Sequence, residues 1–241
     1  EALNYYGHIS NWNTSLIDDM SNLFVSKYDF NKFNEDISNW DVSNVINMSC
    51  MFAMCNKFNQ NINKWDVSSV TNMKGMFSEA HLFNQNLDSW DVSSVTDMGG
   101  MFDEASLFNQ PLDSWNVSSV INMDNTFSYS NFNQPLDSWN VSSVIDMNGM
   151  FQCAYRFNQP LNSWDVSSVT NMKQMFHDAY DFNQPLNSWD VSKVIDMHGM
   201  FARAYSFNQS LNSWDVSSVN TMKFMFKKSF ARKNALWYDF D

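Results

Sequence analysis

FNQNLDSWDVSSVTDMGGMFDEASL, residues 83–107, is one period of a repeat that runs through nearly the whole chain. Tryptophan returns at Trp12, Trp40, Trp65, Trp90, Trp115, Trp139, Trp164, Trp189 and Trp214, at spacings of 28, 25, 25, 25, 24, 25, 25 and 25 residues. A methionine follows eight residues after each tryptophan, from Met20 to Met222, and a phenylalanine twelve residues after each, from Phe24 to Phe226. Self-similarity at a fixed period of this length is the signature of a stacked solenoid.

The second half of the unit has helical spacing. Val95, Met98, Met101, Phe102 and Ala105 form one apolar stripe, as on the buried face of a short helix. Ser93 or Ser94 supplies cap chemistry, and Asp97 lies in the first turn, where the dipole favours an anion. Gly99 and Gly100 lower helix propensity, so the element is expected to be short or partly 3-10. The first half, with Phe83, Leu87, Trp90 and Val92, reads as extended. Proline stands just before the leucine at positions 111, 135, 160 and 185, which confines any strand to the few residues around Leu and Trp.

These elements predict an α/β repeat solenoid, leucine-rich-repeat-like, gently curved and right-handed. Short parallel strands are expected on one face and short helices on the other. An all-β solenoid, with the Val–Met–Met–Phe stripe extended, is the alternative. Residues 1–11 are expected as an N-terminal cap, 12–226 as nine units, and 227–241 as a C-terminal cap. The period slips twice, by three extra residues between Phe24 and Phe33 and one fewer between Phe127 and Phe132. A surface loop is expected at both places.

Composition narrows the function classes. The 241 residues carry 21 Phe, 17 Met and 10 Trp but only 6 Gly and 4 Pro, an aromatic content foreign to disordered chains. A formal net charge of −12 disfavours nucleic acid and acidic membrane surfaces as partners. No apolar run is long enough to insert in a bilayer. Cys50, Cys55 and Cys153 suggest no disulfide framework. The chain opens at Glu1 without a signal-like segment, so a targeting sequence is expected to be absent or already removed.

FNQPLNSWDVSSVTNMKQMF, residues 157–176, resembles the roughly 25-residue repeat of Mycoplasma-type surface lipoproteins, a relative of BspA-like leucine-rich repeats. Similar repeats occur in large DNA viruses of algae. The resemblance implies a leucine-rich-repeat-like solenoid at a cell surface or secreted, with a virion as the alternative location. It carries no catalytic residues. The expected function is a non-enzymatic face for protein or glycan binding and adhesion; the alternative is a structural component of a cell envelope or virus particle.

Two kinds of column are candidates for that face. Asn59, Asn84, Asn109, Asn133, Asn158, Asn183 and Asn208, each followed by Gln, suit a ladder in which side-chain amides satisfy the backbone of the next coil. The other is acidic. No Lys or Arg lies between Lys74 and Arg156. In that span Asp88, Asp113 and Asp137 share the column two residues before Trp. Asp91, just after Trp, gives way to Asn116 and Asn140 in the units where the first column holds Asp. These six residues are the expected binding positions, facing a basic partner surface. No cofactor or metal is expected, although Ca2+ would be the ion to suit such oxygens. The alternative is a solvated acidic surface in which some Asp act as caps. His8, His81, His177 and His198 fall at unrelated repeat positions, and no catalytic motif occurs.

Overall fold

The computed structural model describes residues 7–25 and 32–238. The chain winds into a solenoid whose coils touch through single parallel bridges: Asp19 to Asn47, Asn47 to Asn72, Asn72 to Asp97, and onward through Asn122, Asp146, Asn171 and Asp196 to Thr221. The pairing position is therefore the residue before each methionine. The expected strand around Leu and Trp is not formed. Leu87 and Trp90 are instead the two ends of a turn, with the Trp90 N–H on the Leu87 carbonyl at 3.1 Å.

The short helices are not formed either. Among the described residues the regular helices are two 3-10 turns at the extremities, Ile9–Asn11 and Phe230–Asn234. The Met–Met–Phe stripe is a chain of tight turns whose N–H groups alternate in destination. Those of Met73, Gly75, Phe77 and Glu79 donate to carbonyls of the next coil at Asp97, Gly99, Met101 and Asp103. Those of Met76, Ser78 and Ala80 donate three residues back within the coil. Half the donors that a helix would use internally thus hold neighbouring coils together.

Such turns need a left-handed residue at their third position, and each coil from Trp40 onward has two. Gly75, Gly100, Gly149 and Gly199 occupy the first, at φ of 58 to 62°, with Asn22, Cys50, Asn125, Gln174 and Phe224 in the other coils. The second, four residues on, is held by Met54, Glu79, Glu104, Tyr129, Cys153, Asp178, Arg203 and Lys228. A Cβ at Gly100 would meet nothing closer than 3.9 Å, so the constraint there is conformational. Gly100→Ala is expected to cost about 1–2 kcal/mol, read as a lowered urea midpoint at unchanged slope.

Turns of this kind bring apolar side chains inward every three or four residues. The tryptophans from Trp40 to Trp214 are buried, as are the methionine and phenylalanine columns and the valines from Val42 to Val194, while Val216 and Val219 of the last coil are partly buried. Within a coil two phenyl rings stack face to face, Phe77 on Phe83 at 4.0 Å, and each column continues into the next coil, Phe77 to Phe102 at 5.6 Å. Every buried indole N–H donates to the leucine or isoleucine carbonyl of the preceding coil, Trp115 to Leu87 at 3.0 Å for example. Both extremities keep this register. Trp40 bonds to Ile9, and Trp237 bonds to Leu211 while stacking on Trp214.

The asparagine ladder is present. The Asn84 N–H donates to Oδ1 of Asn59, that of Asn109 to Asn84, and so on to Asn208 on Asn183. The following Gln doubles the contact, as Gln184 Nε2 does on Asn158. The one-residue deletion in the fifth unit leaves Phe127 stacked on Phe132 at 4.1 Å. There the Ser130 hydroxyl accepts the Phe132 N–H, where other coils use a backbone carbonyl. The expected loop between Phe24 and Phe33 lies mostly at 26–31, outside the described residues.

Candidate functional site

The six positions expected to bind are on the turns beside tryptophan, and several are engaged in shaping that turn. Asp91 Oδ1 accepts the Ser93 N–H at 3.0 Å, and Asn116 and Asn140 do the same for Ser118 and Ser142 at 3.2 Å. This job needs only a side-chain oxygen two residues before an N–H, which is why Asp and Asn interchange in the column. The Ser93 hydrogen bonds also hold the Asp91 carboxyl below its usual range. Asp88 is lowered too, by Asn86 and then Asn63, whose Nδ2 lies 3.1 Å from Asp88 Oδ1. Asp113 and Asp137 are exposed, and their backbone carbonyls accept the hydroxyls of Ser138 and Ser163. An open groove of about 400 Å3 runs past Asn63, Asp66, Ser89 and Asp91.

The bridge column repeats the device. Asp97 Oδ1 accepts from Gly99 N–H and Asn122 Oδ1 from Asp124 N–H. Here Asp97, Asn122, Asp146, Asn171 and Asp196 alternate in charge coil by coil, and the amides of Asn122 and Asn171 donate to the carboxylates of Asp97 and Asp146. Carboxylates are thus kept about two coil spacings apart.

A different set of side chains emerges along the ridge made by the second left-handed position and its neighbours. Toward the N-terminal side it is acidic, with Glu79, Asp103 and Glu104. Burial raises the Asp103 carboxyl to about 6, and Glu104, Glu79 and Asp124 add to this against a hydrogen bond from Ser128. A carboxyl raised by folding favours the folded state below about pH 4 and loses that contribution as pH climbs through 6. Asp103→Asn is therefore expected to stabilise the protein at pH 8 by about 1 kcal/mol, after allowing for screening at a half-exposed site. The gain should shrink toward zero at pH 4, in paired melts at the two pH values.

Toward the C-terminal side the same ridge brings together Cys153, His177, Asp178 and Arg203. Adjacent coils present the same position at the same place, so Cys153, Asp178 and Arg203 are lateral neighbours. His177 Nδ1 is 3.0 Å from Asp178 Oδ2, and Arg203 Nε is 2.9 Å from Asp178 Oδ1. Ligand atoms of Cys153, His177 and Asp178 all lie within 4.8 Å of one another. Burial pushes the Cys153 thiol up and the His177 imidazole down. Tyr155, Tyr180 and Tyr205 flank this group one coil apart, with ring centroids 4.8 and 5.0 Å apart, and Arg203 Nη2 reaches the Tyr180 hydroxyl at 3.2 Å. Phe230 holds the corresponding position in the next coil and is 69% exposed.

This ridge escapes a sequence reading that treats the stripe as helix. A visible signal was the recurrence of tyrosine sixteen residues after tryptophan in three successive units, at 155, 180 and 205.

The model of a family described as "Mycoplasma protein of unknown function, DUF285" matches residues 1–94, 28–131 and 122–237. The chain belongs to this family. Repeated matches to the DUF285 model agree with the stacked coils and with the motifs that suggested a Mycoplasma-type repeat. No curated protein matches the DUF285 chain. Among solved structures, the crystal structure of an internalin from Listeria monocytogenes aligns at 7% identity over 85% of this chain and 80% of its own, with a TM-score of 0.23. A score that low adds nothing to what the coils themselves show. Among the described residues, no helix of this DUF285 protein is long and apolar enough to cross a membrane.

Proposed function

We propose that this protein is a non-enzymatic binding module, at a cell surface or secreted, that offers its turn ridge to a protein or glycan partner. The observation that supports this is the aromatic series Tyr155, Tyr180, Tyr205 and Phe230 beside Arg203, in which Tyr155, Tyr205 and Phe230 are exposed and Tyr180 is half-buried. Most large rings of the coils point inward, the other exposed ones among the described residues being Trp12, Tyr129 and Phe224, and folding gains little from leaving this series at the surface. Tyrosine and arginine are the side chains that most often anchor an interface, and a repeat backbone with bonded neighbours presents them already ordered, at low entropic cost. The acidic columns at Asp88, Asp113 and Asp137 offer a second face for a basic partner, although Asp91, Asn116 and Asn140 also have a local task in the turn.

The test uses the whole chain as bait on protein and glycan arrays at physiological salt. Any partner retained is then titrated against two variants, Tyr155→Ala/Tyr180→Ala/Tyr205→Ala and Asp88→Asn/Asp113→Asn/Asp137→Asn. The tyrosine variant is expected to bind about tenfold or more weakly with its melting curve little changed. Loss confined to the aspartate variant would move the site to the acidic columns. Retention of no partner, or unchanged binding by both variants, would overturn the reading.

A further inference from the structure

We propose that Cys153, His177 and Asp178 form a binding site for a borderline divalent metal ion, with Zn2+ the best match. Three observations converge on it. The donor set is one thiol, one imidazole and one carboxylate, the ligand types that zinc takes in sites with three protein ligands and a water. The geometry is near that of a tetrahedral shell. Bonds of 2.0–2.3 Å put neighbouring ligand atoms about 3.3–3.8 Å apart, and the three ligand atoms here lie within 4.8 Å of one another, with His177 Nδ1 and Asp178 Oδ2 at 3.0 Å. Closing from 4.8 Å or less to that spacing asks the side chains to approach one another by about 1 Å at most.

The third observation is unmet hydrogen bonding. The Asp178 side chain is only 8% exposed, and its Oδ1 receives no well-directed hydrogen bond; His177 Nδ1 is buried and, although 3.0 Å from Asp178 Oδ2, makes none either. A buried carboxylate oxygen and a buried ring nitrogen in that condition are costly to keep. Arg203 stands 2.9 Å from Asp178 Oδ1, but its N–H groups point to the hydroxyls of Tyr205 and Tyr180. It supplies opposite charge and no directed bond. An ion between the three side chains would give His177 Nδ1 a directed partner and take one oxygen of the Asp178 carboxylate, leaving Oδ1 facing Arg203.

The chemistry balances simply. The Cys153 thiol gives its proton to solvent as sulfur bonds the ion, His177 binds as the neutral imidazole, and Asp178 binds ionised. Zn2+ then neutralises one thiolate and one carboxylate, while Arg203 remains as a neighbouring cation held by the two tyrosines. The αL conformation at Cys153 and Asp178, φ 54° and 59°, is what sets their side chains side by side on successive coils. The site would pin two coils together beneath the aromatic ridge. It does not depend on that ridge binding anything.

Cobalt is the probe. Chelator-treated full-length protein is titrated with Co2+ and then with Zn2+. A thiolate-to-cobalt charge-transfer band and tetrahedral d–d bands are expected at one ion per chain, and Zn2+ should displace them. Cys50→Ser should leave the spectrum intact. Cys153→Ser should abolish the charge-transfer band, and His177→Gln should weaken binding by more than about tenfold. Because Cys153 is buried, Cys153→Ala serves if the serine variant fails to fold, and His177→Gln reports on the site with the thiol in place. Absence of a thiolate band in the native protein would overturn the proposal. So would a band that persists without Cys153, or His177→Gln binding as tightly as the native chain.

Discussion

Trp115→Ala is expected to lower the unfolding free energy by about 3–5 kcal/mol, the range for truncating a large aromatic side chain in a core. Trp115 is 3% exposed, lies parallel to Trp90 at 6.4 Å and 2°, and touches Phe102 from the side. Removing it opens a cavity across two coils, and rigid turns on either side limit collapse into the space. The indole N–H is lost as well. The Leu87 carbonyl keeps its bond from Trp90 N–H, so that part of the cost is about 1 kcal/mol, the net value of one hydrogen bond, and not the larger penalty of an orphaned group. Trp115→Phe retains a stacking ring without the donor and is expected to cost clearly less. Trp12, 41% exposed at the end of the column, is the control whose truncation should be mild. Each coil contacts only its neighbours, so damage in the middle should also split the denaturation curve into two steps. A loss below about 1 kcal/mol at Trp115 would contradict the stacked core.

The second large effect is electrostatic. Asn122→Asp would insert a third carboxylate between those of Asp97 and Asp146, along bridges whose strands are about 4.8 Å apart. At an effective dielectric of 20 to 80, two new like-charge neighbours at that distance cost about 2–7 kcal/mol before salt screening. The half-buried position and solvent on one side place the expected loss at about 2–3 kcal/mol at pH 7. The amide donor from Asn122 to Asp97 disappears too. The sign with pH follows. Mutual repulsion raises the carboxyl pKa values in the folded state, so the variant is least penalised below about pH 4, and the penalty grows as pH rises through the raised values. Added salt should recover part of the loss at neutral pH. Asn122→Asp as stable as the parent at pH 7 and low salt would show that the alternation has no electrostatic purpose.

Much of this architecture could be read from columns of identical residues. Tryptophan, methionine and phenylalanine at a constant period point to stacking, because one coil of 25 residues has no interior of its own. The asparagine ladder was legible for the same reason, since a polar residue recurring in register needs a partner that recurs with it. The alternative in which some acidic residues act as caps describes Asp91, whose carboxylate accepts the Ser93 N–H as Asn116 accepts that of Ser118.

The stripe from Val95 to Ala105 was legible in its burial and not in its conformation. Apolar residues every three or four positions suit a helix of 3.6 residues per turn equally well as a string of three-residue turns. Gly100 carried the distinguishing signal. Its value lies in a positive φ, whereas a helical reading counts it only as a weak helix former. The misplacement of the parallel pairing followed from this. Once the stripe is taken as helix, the bridge can only be sought near Leu and Trp.

The amino-acid sequence by itself determined the period, which side chains face inward, and which polar groups satisfy the coil above or below. Those are properties of a column, visible in one dimension. The tertiary structure alone decided that alternate N–H groups leave their own coil, and that Cys153, Asp178 and Arg203 meet on one ridge beside three tyrosines. The partners in those contacts lie about 25 residues apart, and no local pattern distinguishes a donor turned toward its own turn from one turned toward the next coil.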